Sequence, residues 1–334
     1  MTKKLVLFLI LLPWVFRLNA QYFQWEAGQI TIVDNREYFN EFQVPQSILG
    51  SRAYALAGFQ LDSSITFNAG FSHFQEYGSM ELSPYTDLIL YAKYQSELFD
   101  LWGGLFPREG KIDQYPLALF YDTINYYRPI MEGLYFNFHH NGFTQSVWVD
   151  WTSRQTATER ETFLFGMDAR WEKNIFFAGY YFYMYHFAGP GIPLPNDPLR
   201  DNGAFNGKIG IDLSNKLFMD SLTFSGGWLV SLDRFRGQSD WDTPSGFLAN
   251  FYLARSFIDL RGTVYFGDGH DLVWGDAFYR ANSYLRLDPG IRIFESKYGY
   301  AKMIFPIHFI AGTIDFQQQL FFALSIHKKY ALKK

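Results

Sequence analysis

The stretch Phe143–Thr152, FTQSVWVDWT, puts Phe143, Val147, Val149 and Trp151 on one face and Thr144, Ser146, Trp148, Asp150 and Thr152 on the other. A period of two is that of a β-strand, whose successive side chains point to opposite faces. The same alternation returns along the chain. Ser64–Ser72 opposes Ile65, Phe67, Ala69 and Phe71 to Ser64, Thr66, Asn68, Gly70 and Ser72. Thr162–Trp171 opposes Phe163, Phe165, Met167, Ala169 and Trp171 to Thr162, Gly166, Asp168 and Arg170. Near the end, Leu320, Phe322, Leu324 and Ile326 alternate with Gln319, Phe321, Ala323 and Ser325. Alternating segments of about ten residues are the mark of a transmembrane β-barrel, whereas sandwich strands are usually about five or six residues long.

Connection lengths separate the two architectures. Strands are predicted near 22–32, 51–62, 64–75, 86–95, 97–106, 131–140, 143–153, 161–172, 174–186, 204–213, 219–232, 246–255, 257–266, 280–293, 299–311 and 316–327. Short joins such as Asp62-Ser63, Asn141-Gly142 and Ser256 alternate with long ones at 33–50, 76–85, 107–130, 187–203, 233–245 and 267–279. Short periplasmic turns opposite long extracellular loops are the plan of an outer-membrane barrel. The expected fold is therefore all-β: a transmembrane antiparallel β-barrel of about 16 strands (14–18). Pro190, Pro193, Pro195 and Pro198 share one long join, and Pro107, Pro116 and Pro129 another, where no ladder bond is lost. Pro306 alone falls inside a predicted strand.

Composition agrees with this plan. The 334 residues are 48% hydrophobic and 19% charged, and 36 Phe and 23 Tyr raise the aromatics to 20%. Rings in this number suit two membrane–water boundaries. Residues 1–20, MTKKLVLFLILLPWVFRLNA, read as a cleaved signal peptide that precedes a single barrel domain at 21–334. Its loss takes Lys3, Lys4 and Arg17 from 29 basic residues, leaving 26 against 33 acidic, or −7. That balance argues against a nucleic-acid partner. No run of about 18 apolar residues follows Gln21, so no transmembrane helix is expected. With no cysteine, disulfides and thiolate chemistry are excluded.

In lipid the apolar face points outward and the alternate face lines the lumen. The lumen and constriction candidates are Trp102, Tyr135, Trp148, Asp150, Asp168, Arg170, Tyr252, Asp259, Arg261 and Arg286, with Arg108, Glu109, Lys111 and Asp113 from the loop 107–130. Asp168/Arg170, Asp259/Arg261 and Arg286/Asp288 share a face at i,i+2, a spacing that would let each pair neutralise itself on a wet wall. Both signs occur, which points to weak charge selectivity. In Asn174–Phe187, NIFFAGYYFYMYHF, the inward set is Gly179, Tyr181, Tyr183 and Tyr185, which must meet rings, a plug or a sugar rather than open water. The loop Pro107–Pro129 carries Leu117, Leu119, Phe120, Tyr121, Ile124, Tyr126 and Tyr127, too apolar to stand in solvent. It either folds into the barrel or packs over the rim.

Local catalytic signatures are lacking: there is no nucleophile elbow, HExxH, P-loop or dinucleotide fingerprint. His139 and His140 point to opposite faces, and GDGHD at Gly267–Asp271 reads as an acidic solvated loop. The expectation is a protein without catalytic residues, metal or cofactor; the lesser alternative is an outer-membrane hydrolase whose Ser/His or Asp/His pair assembles across strands.

With segments such as SSITFNAGFS (63–72) and QSVWVDWT (145–152), the layout resembles the porin class of Gram-negative outer-membrane barrels over essentially the whole mature chain. The resemblance implies a cell outer-membrane protein in contact with lipid and lipopolysaccharide, as a monomer or homo-trimer. It also implies passive, weakly charge-selective diffusion of small hydrophilic solutes, saccharides among them where inward rings could stack. The alternative is a non-conducting barrel serving as a structural subunit beside other outer-membrane proteins.

Overall fold

The structure, a computed structural model, describes residues 21–79, 85–192 and 197–332. The expected signal segment 1–20 and Pro193 and Pro195 lie outside the described residues.

The described strands form one antiparallel sheet closed on itself: β1 (Tyr22–Glu37), β2 (Gln46–Gln60), β3 (Ile65–Glu76), β4 (Thr86–Gln95), β5 (Phe99–Pro107), β6 (Ile130–His140), β7 (Phe143–Ser153), β8 (Thr162–Lys173), β9 (Phe176–Phe187), β10 (Arg200–Asp212), β11 (Ser221–Phe235), β12 (Ser245–Arg255), β13 (Ile258–Gly267), β14 (Ser283–Ser296), β15 (Gly299–Ile304), β16 (Ile307–Ile310) and β17 (Thr313–Ala331). Two short helices occur in loops, α1 (Ile124–Tyr127) and a 3-10 turn η1 (Ala277–Arg280). β15 and β16 are halves of one stave, each paired with β14 and β17, so the barrel has 16 staves. β1 pairs with β2 on one side and with β17 on the other, in register from Tyr22↔Ala331 to Glu37↔Phe316. Closure leaves no strand edge unpaired in lipid, where no water could satisfy it.

Pro306 breaks the predicted strand 299–311 into β15 and β16. Without an N–H it cannot donate to the ladder. Its carbonyl still accepts from Gln317 N at 2.9 Å, and Phe305 N donates to Pro289 O at 2.9 Å, so the stave continues across the break. At the short-turn end Asn141 (φ 46°) and Gly142 (φ 76°) form the left-handed pair of a two-residue hairpin. Two joins depart from the expected alternation. Residues 311–312 make a tight turn at the long-loop end, and 213–220 make a longer connection at the short-turn end.

The alternation sorts as the faces require. Phe67, Phe71, Leu88, Leu90, Leu134, Phe176, Ile209 and Trp228 are exposed on the outside, while Phe74, Tyr135, Trp148, Leu164, Tyr183, Tyr265 and Tyr284 are buried inside. Chains of apolar side chains on the outer wall and no exposed strand edge are what a bilayer demands of a barrel. The interior is a packed core at the long-loop end, because two loops, 108–129 and 268–282, fold inward and bury their own side chains.

Candidate functional site

The inward loop 108–129 is anchored by charge at its base and by rings at its tip. Arg108 pairs with Asp150 of β7, both fully buried, and its Nε donates to Arg128 O at 2.8 Å. A guanidinium taken out of water survives only with such partners. Arg52 of β2 donates to Asn125 O at 2.9 Å and also to Tyr126 O. On the other side Arg36 of β1 bridges Asp34 (2.7 Å) and Asp122 (2.9 Å), and the Tyr126 hydroxyl donates to Asp34 at 3.2 Å. At the tip Tyr115 lies 4.9 Å from Tyr181 and Phe120 lies 4.9 Å from Tyr183, ring centre to ring centre. Trp148 Nε1 donates to the Tyr115 hydroxyl at 3.0 Å. The inner tyrosines of β9 therefore meet the plug and not open water.

Loop 268–282 completes the plug. Trp274 stacks on Tyr121 with centroids 6.0 Å apart and planes 5° apart. Tyr121 N donates to Trp274 O at 2.8 Å, and Asp276 N to Leu117 O at 2.9 Å. The Asp276 side chain caps η1 by accepting from Phe278 N at 3.1 Å. Burial, with Asp122 close by, pushes the Asp276 carboxyl up.

Below the plug, toward the short-turn end, the lumen opens into a chamber of about 1150 Å³. Trp102, Arg108, Glu109, Lys111, Asp113, Arg170, Tyr252, Asp259, Arg261 and Arg286 line it. The other four sequence candidates, Tyr135, Trp148, Asp150 and Asp168, are buried and do not line it. A second cavity of about 270 Å³ lies beside loop 268–282, and Asp122 and Arg286 line both. Those two side chains thus stand between the chamber and the loop side. Asp122 is not among the sequence candidates, since nothing local marks an aspartate that a 22-residue loop carries to the opposite wall.

The charged pairs read from i,i+2 spacing are corrected in part. Arg286 does pair with Asp288, at 2.6 Å. Asp168 instead accepts from Gln114 Nε2 at 3.0 Å, and Arg170 pairs with Glu172. Asp259 pairs with Lys302 of β15 at 2.9 Å, and Arg261 lies over the Tyr252 ring at 5.1 Å. For Asp168 and Asp259 a loop or cross-strand neighbour replaces the i,i+2 arginine, whereas Arg170 keeps an i,i+2 partner on its other side, Glu172. Lys111 sits 3.8 Å over the Trp102 ring, itself stacked on Tyr91, and burial pushes its ammonium down to about 8.

Three histidines among the described residues hydrogen-bond hydroxyls, in four contacts, each within a strand-to-strand or strand-to-loop group. Ser231 Oγ lies 2.7 Å from His270 Nδ1, with the Tyr265 hydroxyl 2.7 Å from the same ring's Nε2. Tyr284 lies 2.6 Å from His308 Nδ1. Both groups are buried in the core. The third, His73 Nδ1 to Thr86 Oγ1 at 2.7 Å, is on the outer wall. None has a sequence signature, because its members come from different strands or from a strand and a loop.

A closed 16-stave antiparallel barrel with an apolar outer wall and a polar, plugged lumen is an outer-membrane β-barrel. The chain belongs to the family described as Lipid A 3'-O-deacylase-type, whose model matches residues 19–332. The expectation of a protein without catalytic function is overturned by this match, since the family is named for an enzyme. The likeness to porins holds for the barrel and not for the family. Among solved structures, the in-vitro folded trimer form of OmpT, an outer-membrane protein of Vibrio cholerae, matches with a TM-score of 0.59 at 7% identity, over 91% of this chain and 99% of that one. OpdK of Pseudomonas aeruginosa matches with a TM-score of 0.56 at 10% identity, over 92% and 99%. A variant of Rh. blastica porin matches with a TM-score of 0.52 at 12% identity, over 91% and 100%. At these identities the likeness is one of fold. No curated protein matches the chain.

Proposed function

We propose that this chain is an outer-membrane acyl-ester hydrolase acting on a glycolipid of the lipid A type. The observation that carries this reading is the extent of the family match, which spans the whole strand framework and both inward loops rather than one segment. The plug supports it as well: rings packed in the outer part of the lumen make a rigid scaffold, and rigid scaffolds hold reacting groups to the tolerance that catalysis needs. The test is to incubate the purified, folded chain with lipid A in mixed micelles and weigh the lipid. Loss of the mass of one ester-linked acyl chain is expected; an unchanged lipid mass over folded protein would sink the reading.

The chamber favours a second activity of the same barrel, passage of small hydrophilic solutes. It is large enough for a small solute, its lining carries both charge signs, and Asp122 and Arg286 form its outer limit. Weak charge selectivity follows from the mixed lining. Recording from pure protein in planar bilayers decides this reading, which fails if no conductance steps are seen.

A further inference from the structure

We propose that the outer wall over β10–β13 holds a phospholipid of the inner leaflet, with its phosphate on Lys216 and Arg255 and one acyl chain in a dent around Gly226 and Ala249. The inference rests on neither activity above; it concerns a stretch of wall and a connection that both leave unused.

The dent follows from register. Ile209, Gly226, Ala249 and Val264 form one row across β10 to β13 on the lipid side. The neighbouring rows carry rings: Phe224 and Phe251 toward the short-turn end, Trp228 and Phe247 toward the loops. A glycine and an alanine between two pairs of rings leave a hollow of about 300 Å³. Phe224 and Phe251 line it, whereas Trp228 and Phe247 do not, so the hollow belongs to the short-turn side of the wall. The side chains that face lipid there are all hydrocarbon, which suits an acyl chain. Gly226 lies about 16 Å along β11 from Ser221, at the short-turn end of the strand. A chain whose headgroup sits at that end reaches it.

The connection beneath the dent is 213–220, LSNKLFMD, which is longer than the tight turns expected at that end. Leu217 and Phe218 are 56% and 73% exposed, with Lys216 next to them in sequence. Exposed apolar side chains with a cation beside them mark a segment seated in the membrane–water boundary. Arg255 ends β12 on the same outer face as Ala249 and Phe251, and its guanidinium lies 5.4 Å over the Phe218 ring. Among the described residues neither Lys216 nor Arg255 forms an ion pair. The nearby carboxylates are held by backbone: Asp220 Oδ2 accepts from Ser256 N at 2.5 Å, and Asp212 Oδ1 from Ser214 N at 2.8 Å. Two cations without a carboxylate partner, at headgroup depth below an apolar hollow, are complementary to a phosphate that carries an acyl chain. A glycolipid of the outer leaflet has its phosphates at the opposite end of the barrel, which leaves a phospholipid of the inner leaflet as the occupant.

The experiment records native mass spectra of the folded chain released from detergent after equilibration with dioleoyl phosphatidylglycerol, or with dioleoylglycerol, which has the same chains and no phosphate. It compares wild type, the double variant Lys216→Gln/Arg255→Gln, Ala249→Leu, and Leu90→Phe on the far wall, each shown to fold by heat-modifiable gel mobility. Wild type and Leu90→Phe should retain one phosphatidylglycerol and no dioleoylglycerol. The double variant and Ala249→Leu should each bind it at least about tenfold more weakly. Equal retention by all four proteins would mean an unspecific lipid shell and overturn the site. Dioleoylglycerol held as firmly as phosphatidylglycerol would remove the two cations from it. Wild-type oligomers that carry no lipid and fall apart in Ala249→Leu would assign the dent to a second copy of the chain instead.

Discussion

At Gly166 one missing methyl group sets the shape of the plug. A Cβ there would lie 2.2 Å from Trp148 Cζ2, so the indole can lie against β8 only because position 166 has no side chain. The same indole is fully buried, donates to Tyr115 and packs against Phe120, 5.9 Å away. Gly166→Ala should push the ring into loop 108–129 and cost about 1–3 kcal/mol, the usual cost of overpacking. Urea midpoints of the refolded barrel, with its folded and unfolded forms resolved on a gel, check this. An unchanged midpoint would mean that the indole has room to turn.

For loop 268–282 the deciding group is His270. Burial pushes its imidazole down to about 4 from an ordinary 6.5, with Asp268 and Asp242 offsetting part of the shift. Once released, the loop binds a proton over that interval that the docked loop refuses. Docking is therefore unaffected above about pH 6.5 and weakens as pH falls toward 4, by no more than about 3 kcal/mol. Hydrogen exchange across 268–282, corrected for intrinsic rates, should show less protection at pH 4.5 than at pH 7.5. His270→Gln should flatten that difference. Equal protection of the wild-type loop at both values would refute the titration.

Across the whole molecule, the buried Arg108–Asp150 pair joins the plug to the wall. Removing one member leaves the other charge buried and unpaired, at a cost of about 3–5 kcal/mol. The barrel ladder does not include this pair, so that cost falls on the loop. Arg108→Ala should release loop 108–129 while the barrel stays closed. In the conducting reading, bilayer recordings would then show larger or noisier steps than wild type. Identical steps, with the loop equally resistant to protease, would place the anchor elsewhere.

Much of this was legible in the chain. A side-chain period of two is a local property, and lipid on one side makes it strict, so segments such as Phe143–Thr152 locate a strand and its faces without knowledge of their neighbours. The tyrosines of β9 are a case in point: two apolar faces on one strand required something inside the barrel to cover one of them. What covers it was not legible. Loop 108–129 could have packed over the rim equally well by composition, and its destination depends on Asp150, Asp34 and Tyr181, contributed by three separate strands. The hydroxyl–imidazole pairs are hidden for the same reason. His73 and Thr86 are thirteen residues apart and become neighbours only through the register of β3 against β4. The sequence by itself determined the barrel, its faces and its approximate strand count, because those follow from alternation against a bilayer. Only the tertiary structure decided where the loops go and which side chains meet, because contacts between distant segments depend on closure and register that no local pattern encodes.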